Sequence, residues 1–285
     1  MKRTRKRFWQ IGCLIVTLLT LGIFAWVIAS TNQIPTRKIV TQRAFFAISG
    51  PLRPNDEGVK DAWEVFIAER QSKGMLSGQI LRWLSVPSEM TVAFYEFQPS
   101  PVGAVAINLR KGYRWLWLLA RFSGKHYKGA HYHVASPDLV VGMYGGTLIA
   151  TRDEVTFCHI VDKILSAGDG EKQEPKLARR LKDRYDFVGF INPQMLSPTE
   201  RFQLPASLGE IGLDIVNAKE LRGSVFWVCQ GEREAEAMMR ALGKIESEIS
   251  ADCLRKGVQC SFRKHREGVF VWWEFRLTNF MALLF

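Results

Sequence analysis

Between Arg7 and Arg37 the chain carries no charged residue. That absence excludes an ordinary solvated segment, and within it Ile11 to Ala29 is apolar except for Gly12, Thr17, Thr20 and Gly22. Nineteen helical residues span roughly 28 Å, close to the ~30 Å hydrocarbon core of a bilayer. Lys2, Arg3, Arg5, Lys6 and Arg7 precede the stretch, and basic residues resist translocation. The basic end is therefore expected to stay in the cytoplasm while the remaining chain crosses. Trp9 and Trp26 stand near the two ends, where indoles prefer to sit. A cleaved secretory signal is the alternative, with cleavage before Ser30, but the apolar run is too long for one and Trp26 and Ile28 crowd the site. Cys13 lies at the start of the run, where a lipidation cysteine would not.

Other absences narrow the function. None of the six Asn residues begins an Asn-x-Ser/Thr sequon, which fits a bacterial envelope better than a eukaryotic lumen. There is no Cys-x-x-Cys, Walker loop, Gly-x-Ser-x-Gly elbow or His-Glu-x-x-His, so no motif-borne redox, nucleotide, hydrolase or zincin chemistry is supported. Ser261-Phe-Arg-Lys264 matches Ser-x-x-Lys in spelling only. It falls on an expected strand, and the companion Ser-Asp-Asn and Lys-Thr-Gly motifs are missing.

What is present is ordinary globular composition, 47% apolar and 24% charged, which excludes disorder. Beyond the five basic residues of the tail, 34 basic stand against 28 acidic residues. This moderate excess suits a solvated surface, an envelope protein or an anionic polymer as partner. Nucleic acid is excluded by the expected compartment, and no cofactor is called for.

The pattern predicts an α+β class: an N-terminal transmembrane helix, then antiparallel sheets with packed helices, in two related halves. Residues 1–10 read as cytoplasmic tail, 11–29 as anchor, 30–43 as connector, 44–166 as the first half, 167–186 as a charged linker and 187–285 as the second half. Strands are expected at Ala44–Ser49, Thr91–Phe97, Val102–Leu109, Ala130–Ala135, Leu139–Tyr144, Thr147–Ala150, Phe187–Ile191, Leu213–Val216, Ser224–Cys229, Val258–Phe262 and Val269–Leu277. The last two should form a hairpin around His265-Arg266-Glu267-Gly268. Helices are expected where apolar residues recur at helical spacing: Val59, Trp63, Phe66, Ile67; then Phe157, Ile160, Val161, Ile164; then Ala235, Met238, Met239, Leu242, Ile245, Ile249. Thr151 and Glu154 should cap the second of these reciprocally. The terminal Phe280–Phe285 should tuck into a core.

Three clusters are candidates for function. His126, His131 and His133 could supply metal ligands, since residues two apart on a strand share a face, although no carboxylate accompanies them. Trp115, Trp117, Trp272 and Trp273 are candidate binding residues. Trp272 and Trp273 are neighbours on a strand, so they face opposite ways, and both are buried only if the sheet is covered on both sides. Cys253 and Cys260 are the candidate disulfide, with Cys229–Cys260 as the alternative pairing and free buried thiols at Cys158, Cys229, Cys253 and Cys260 as the third reading.

Tyr127-Lys-Gly-Ala-His-Tyr132, with Gly145-Gly-Thr-Leu-Ile-Ala-Thr151 and the helix after it, resembles bacterial envelope proteins with one N-terminal anchor and a duplicated α+β ectodomain. The resemblance implies the fold but neither an activity nor catalytic residues. The expectation is a non-catalytic, single-pass protein of the inner membrane whose extracytoplasmic domain binds or scaffolds an envelope partner. An envelope enzyme with a composite site and a lipid or glycan carrier are the alternatives.

Overall fold

The computed structural model describes residues 33–40, 44–53, 56–72, 87–97, 101–109, 124–166, 181, 183–192 and 208–283. The proposed anchor and the candidate residues Trp115 and Trp117 lie outside them. Among the described residues no helix is long and apolar enough to cross a membrane.

Among the described residues twelve strands form one sheet: β1 (Ala44–Pro51), β2 (Glu89–Phe97), β3 (Pro101–Asn108), β4 (Lys125–Tyr127), β5 (Ala130–Ser136), β6 (Leu139–Tyr144), β7 (Thr147–Thr151), β8 (Phe187–Ile191), β9 (Gly209–Asn217), β10 (Glu220–Val228), β11 (Gln259–Glu267) and β12 (Phe270–Thr278). Their spatial order is β11-β12-β10-β9-β8-β1-β2-β3-β7-β6-β5-β4. All described neighbours are antiparallel. Three α-helices accompany them among the described residues: α1 (Glu57–Ser72), α2 (Glu154–Ser166) and α3 (Glu232–Arg255).

The strands before and after the charged 167–186 stretch meet at one pair. β1 lies against β8, with Ile48 opposite Gly189. A Cβ on Gly189 would stand 1.8 Å from the carbonyl oxygen of Ala47, so only glycine allows the two strands to approach this closely.

Strand alternation sends successive side chains to opposite faces, and here each face has its own helices. On one face α1 and α3 cover the β8–β12 side, burying Val59, Met238, Leu242 and Ile245 against Ile48, Ile211, Val225, Trp227 and Val271. On the other face α2 covers the β1–β7 side, burying Phe157, Ile160 and Val161 with Ala47, Ala93, Ala104, Ala106 and Ile149. The predicted apolar stripes are the buried ones. In α3 the deepest residues are Ala235, Met238 and Leu242, all 0% exposed. Phe280 and Met281 fold back in a short 3-10 helix against Ala62 of α1.

Two local expectations are corrected. Thr151 ends β7 and does not cap α2. Asp153 does, its carboxylate accepting the Thr156 backbone N–H and hydroxyl at 2.8 Å each, the arrangement that satisfies exposed amides of a first turn. Glu154 is thereby free to accept from Lys125 and from the Tyr132 hydroxyl. The β11–β12 turn is not at His265–Gly268. Strand pairing continues through Glu267, and the two-residue turn is Gly268-Val269, with Gly268 at φ 59°.

Docking of α2 onto the β4–β5 hairpin is polar at its rim. Lys128 and then Tyr127 hold the Asp162 carboxyl below its ordinary range, and Lys125 and then Tyr132 do the same for Glu154. The sign follows directly. A carboxylate favoured in the folded state stabilises above its unfolded pKa, and the contribution disappears as pH falls from about 4 through the depressed value. Glu154→Gln should therefore lower the melting temperature at pH 7 and make no difference at pH 2. An equal deficit at both pH values would show that the charge of Glu154 is irrelevant to this docking.

Candidate binding groove

Helices on opposite faces at opposite ends leave a sheet surface with no described helix over it. Behind α3, this surface is made by β10, β12 and β11. Cross-strand register sets Phe226 opposite Trp272 and Trp272 opposite His265; Phe270 lies beside Val228 and Glu267. The rings form one cluster. Phe226 and Trp272 are 4.9 Å apart between centroids, Phe226 stacks on Phe270 at 6.0 Å and 18°, Phe270 is 6.0 Å from Trp272, and His265 lies 5.8 Å from Trp272. Such spacings are those of favourable aromatic pairs.

Leu181, from the stretch expected to be linker, buries itself against Phe226. With Asp183 and Arg184 it walls an open hollow of about 930 Å³ whose other boundaries are Phe226, Glu267, Gly268, Val269, Phe270 and Trp272. The floor is aromatic and the rim carries Asp183, Glu267 and Arg184. This is the usual composition of a small-ligand site, apolar surface for contact area and a few polar groups for orientation.

Trp273 points the other way, as strand geometry requires. It lies under α3, stacked on Phe262 at 5.4 Å and 13°, and its indole N–H donates to Glu246 at 3.0 Å. Lys264 donates to the other Glu246 oxygen at 2.9 Å. Of the tryptophan pair named from sequence, Trp272 is therefore the groove residue and Trp273 belongs to the core. The sequence reading missed Phe226, Phe270 and Leu181. The alternation of β10, with Phe226 off the Val225–Trp227 face, was the available signal.

The three candidate histidines share one face of β4–β5. His126 lies opposite His131, with ring centroids 4.4 Å apart, and His133 is one strand repeat further on. His131 is buried, whereas His126 and His133 are exposed. Among the described residues no group of three His, Cys, Asp or Glu side chains is placed to hold a metal ion. Cys253 and Cys260 lie side by side as thiols, and burial together with this contact raises the Cys260 pKa. Cys229 follows β10 and sits by Val269, at the opposite end of β12 from Leu277, the residue that faces Cys260. The Cys229–Cys260 pairing is thus out of reach.

No protein-family model matches the chain, and no curated protein matches it. Among solved structures, crystal form I of TP0453 is similar over 89% of this chain and 96% of that one, with 12% identity and a TM-score of 0.50. Crystal form III of the same protein is similar over 88% and 97%, with 10% identity and a TM-score of 0.42. What the chain shares with the first of these is its fold, a mixed α+β architecture with a large antiparallel sheet.

Proposed function

We propose that this chain is a non-catalytic binding protein of a bacterial envelope, tethered to the inner membrane through residues 11–29 with its sheet domain outside the cytoplasm, and that the groove at Trp272 takes sugar rings. The observation that carries the reading is the cluster of Phe226, Phe270 and Trp272 on the floor of an open hollow with charged groups at its rim. The axial C–H bonds of a pyranose lie well on an aromatic face, and its hydroxyls need flanking donors and acceptors, which Arg184, Asp183 and Glu267 supply. An acyl chain would gain most from an enclosed apolar cavity, and charged groups around an open hollow work against that. The rim has two carboxylates to one guanidinium, so neutral glycan suits it better than an anionic polymer.

Titrating the protein with neutral hexasaccharides of glucose and of N-acetylglucosamine, while following tryptophan emission, should give a saturable change with at least one of them. No saturable change with any of them at millimolar concentration would overturn the glycan reading.

A further inference from the structure

The stretch after the proposed anchor is part of the fold. Residues 33–36 lie at the ends of β2, β3 and β7 marked by Glu89, Asn108 and Thr147, the chain then runs along β2 to Tyr95, and a buried polar network holds it there. Gln33 donates its side-chain amide to the carbonyl of Leu109. The Ile34 N–H donates to the Thr147 hydroxyl at 3.3 Å, and the Ile34 carbonyl accepts from the Asn108 amide at 3.0 Å. The Thr147 hydroxyl in turn donates to Asn108 Oδ1 at 2.6 Å. Glu89 accepts from Asn108 at 2.8 Å and from the Thr36 N–H at 3.3 Å. Thr36 and Ile39 are fully buried, and the Tyr95 hydroxyl donates to the Ile39 carbonyl at 2.6 Å. Buried polar groups paired in this way define one geometry and are costly to break.

We infer that the strand-end surface around Ser88, Asn108–Leu109 and Gly145–Gly146 is a membrane-facing surface, whose partner is the phospholipid headgroup layer. The inference rests on the reading of residues 11–29 as a bilayer span. Four residue steps separate Ala29 from the fixed Gln33, and even fully extended they reach only about 14 Å. The headgroup layer itself occupies about 5–7 Å per leaflet. The surface at which Gln33 is held therefore lies no more than about 7–9 Å beyond the headgroup layer. The groove is five strand spacings from β3, about 24 Å across the sheet. It lies towards the Val228 and Phe270 ends of β10 and β12, away from the ends that register sets on the Ser88 side, so it remains accessible while this surface faces the bilayer.

The test uses the full chain in vesicles of phosphatidylcholine and phosphatidylglycerol, with a photoactivatable benzophenone side chain replacing Ser88 or Asp138. Both positions are exposed, and they lie at opposite strand ends of the same part of the sheet. Vesicle association resistant to alkaline carbonate reports the anchor independently. The expected result is at least fivefold more lipid adduct at position 88 than at 138. Insertion of twelve Gly/Ser residues after Ser30 should abolish that ratio without releasing the protein. Equal adducts with association intact would overturn the inference alone. A ratio that survives the insertion would overturn tether length as its cause. Loss of carbonate-resistant association would overturn the anchor and the inference with it.

Discussion

Met238→Asp is expected to leave the domain unfolded or to lower its melting temperature by more than ten degrees. Met238 is 0% exposed in the face of α3 that packs on the sheet, among Ile211, Val225, Trp227 and Leu242. A carboxylate placed there has no partner, and an unpaired buried charge costs several kcal/mol unless the group neutralises, which also costs free energy. A domain has roughly 5–15 kcal/mol in total, and for this size each kcal/mol is worth about 2–4 °C. Lys244 stands on the exposed side of the same helix, so Lys244→Gln should stay within roughly 0.5 kcal/mol of wild type. Thermal melts followed at 222 nm compare the two. Similar shifts would mean that α3 buries a different face.

The second large effect concerns binding. Trp272→Ala should weaken saccharide affinity at least tenfold, about 1.4 kcal/mol, while leaving the fold intact. The indole is half-buried on the face that no described helix covers and touches Phe226, Phe270 and His265. Its removal takes away the widest stacking surface of the groove without opening the core beneath α3. Trp272→Phe should restore part of the affinity, because a smaller ring keeps the stacking face. Unchanged affinity in Trp272→Ala would place the sugar elsewhere. Matched melting curves separate this result from damage to the fold.

How much of this was legible in the sequence depends on what each residue pattern encodes. Helix α3 was legible almost residue by residue, because Ala235, Met238, Leu242 and Ile245 repeat at the helical period and no other element explains them. The opposite environments of Trp272 and Trp273 followed from strand parity alone. The side on which each helix lies was not legible. Periodicity gives the buried stripe of a helix, not the sheet face it meets, and the described helices, split between the two faces, leave the groove face without a described helix over it. Leu181 and Arg184 were also hidden, since a charged stretch reads as linker until a partner such as Phe226 is placed beneath it. The α2 cap was misassigned because Thr151 and Asp153 are both good capping residues. Pairing of Thr151 in β7 against Val140 and Ala104 decided between them. The histidines illustrate the opposite limit. Residue type and spacing put His126, His131 and His133 on one face, and His126 and His131 do meet, but among the described residues no third ligand converges with them.

The face carrying Trp272 is the centre of the account, and hydroxyl-radical footprinting read by mass spectrometry tests it most directly. Because Trp272 and Trp273 are consecutive, fragment ions must separate their oxidation. In the free protein the half-buried Trp272 and Phe270 should oxidise more than the 1%-exposed Trp227, and Trp273, half-buried under α3, is the control on the other face. A saturating hexasaccharide should then protect Trp272 and Phe270 and leave the other two unchanged. Trp272 as unreactive as Trp227 in the free protein, or oxidised equally with and without saturating sugar, would contradict the account.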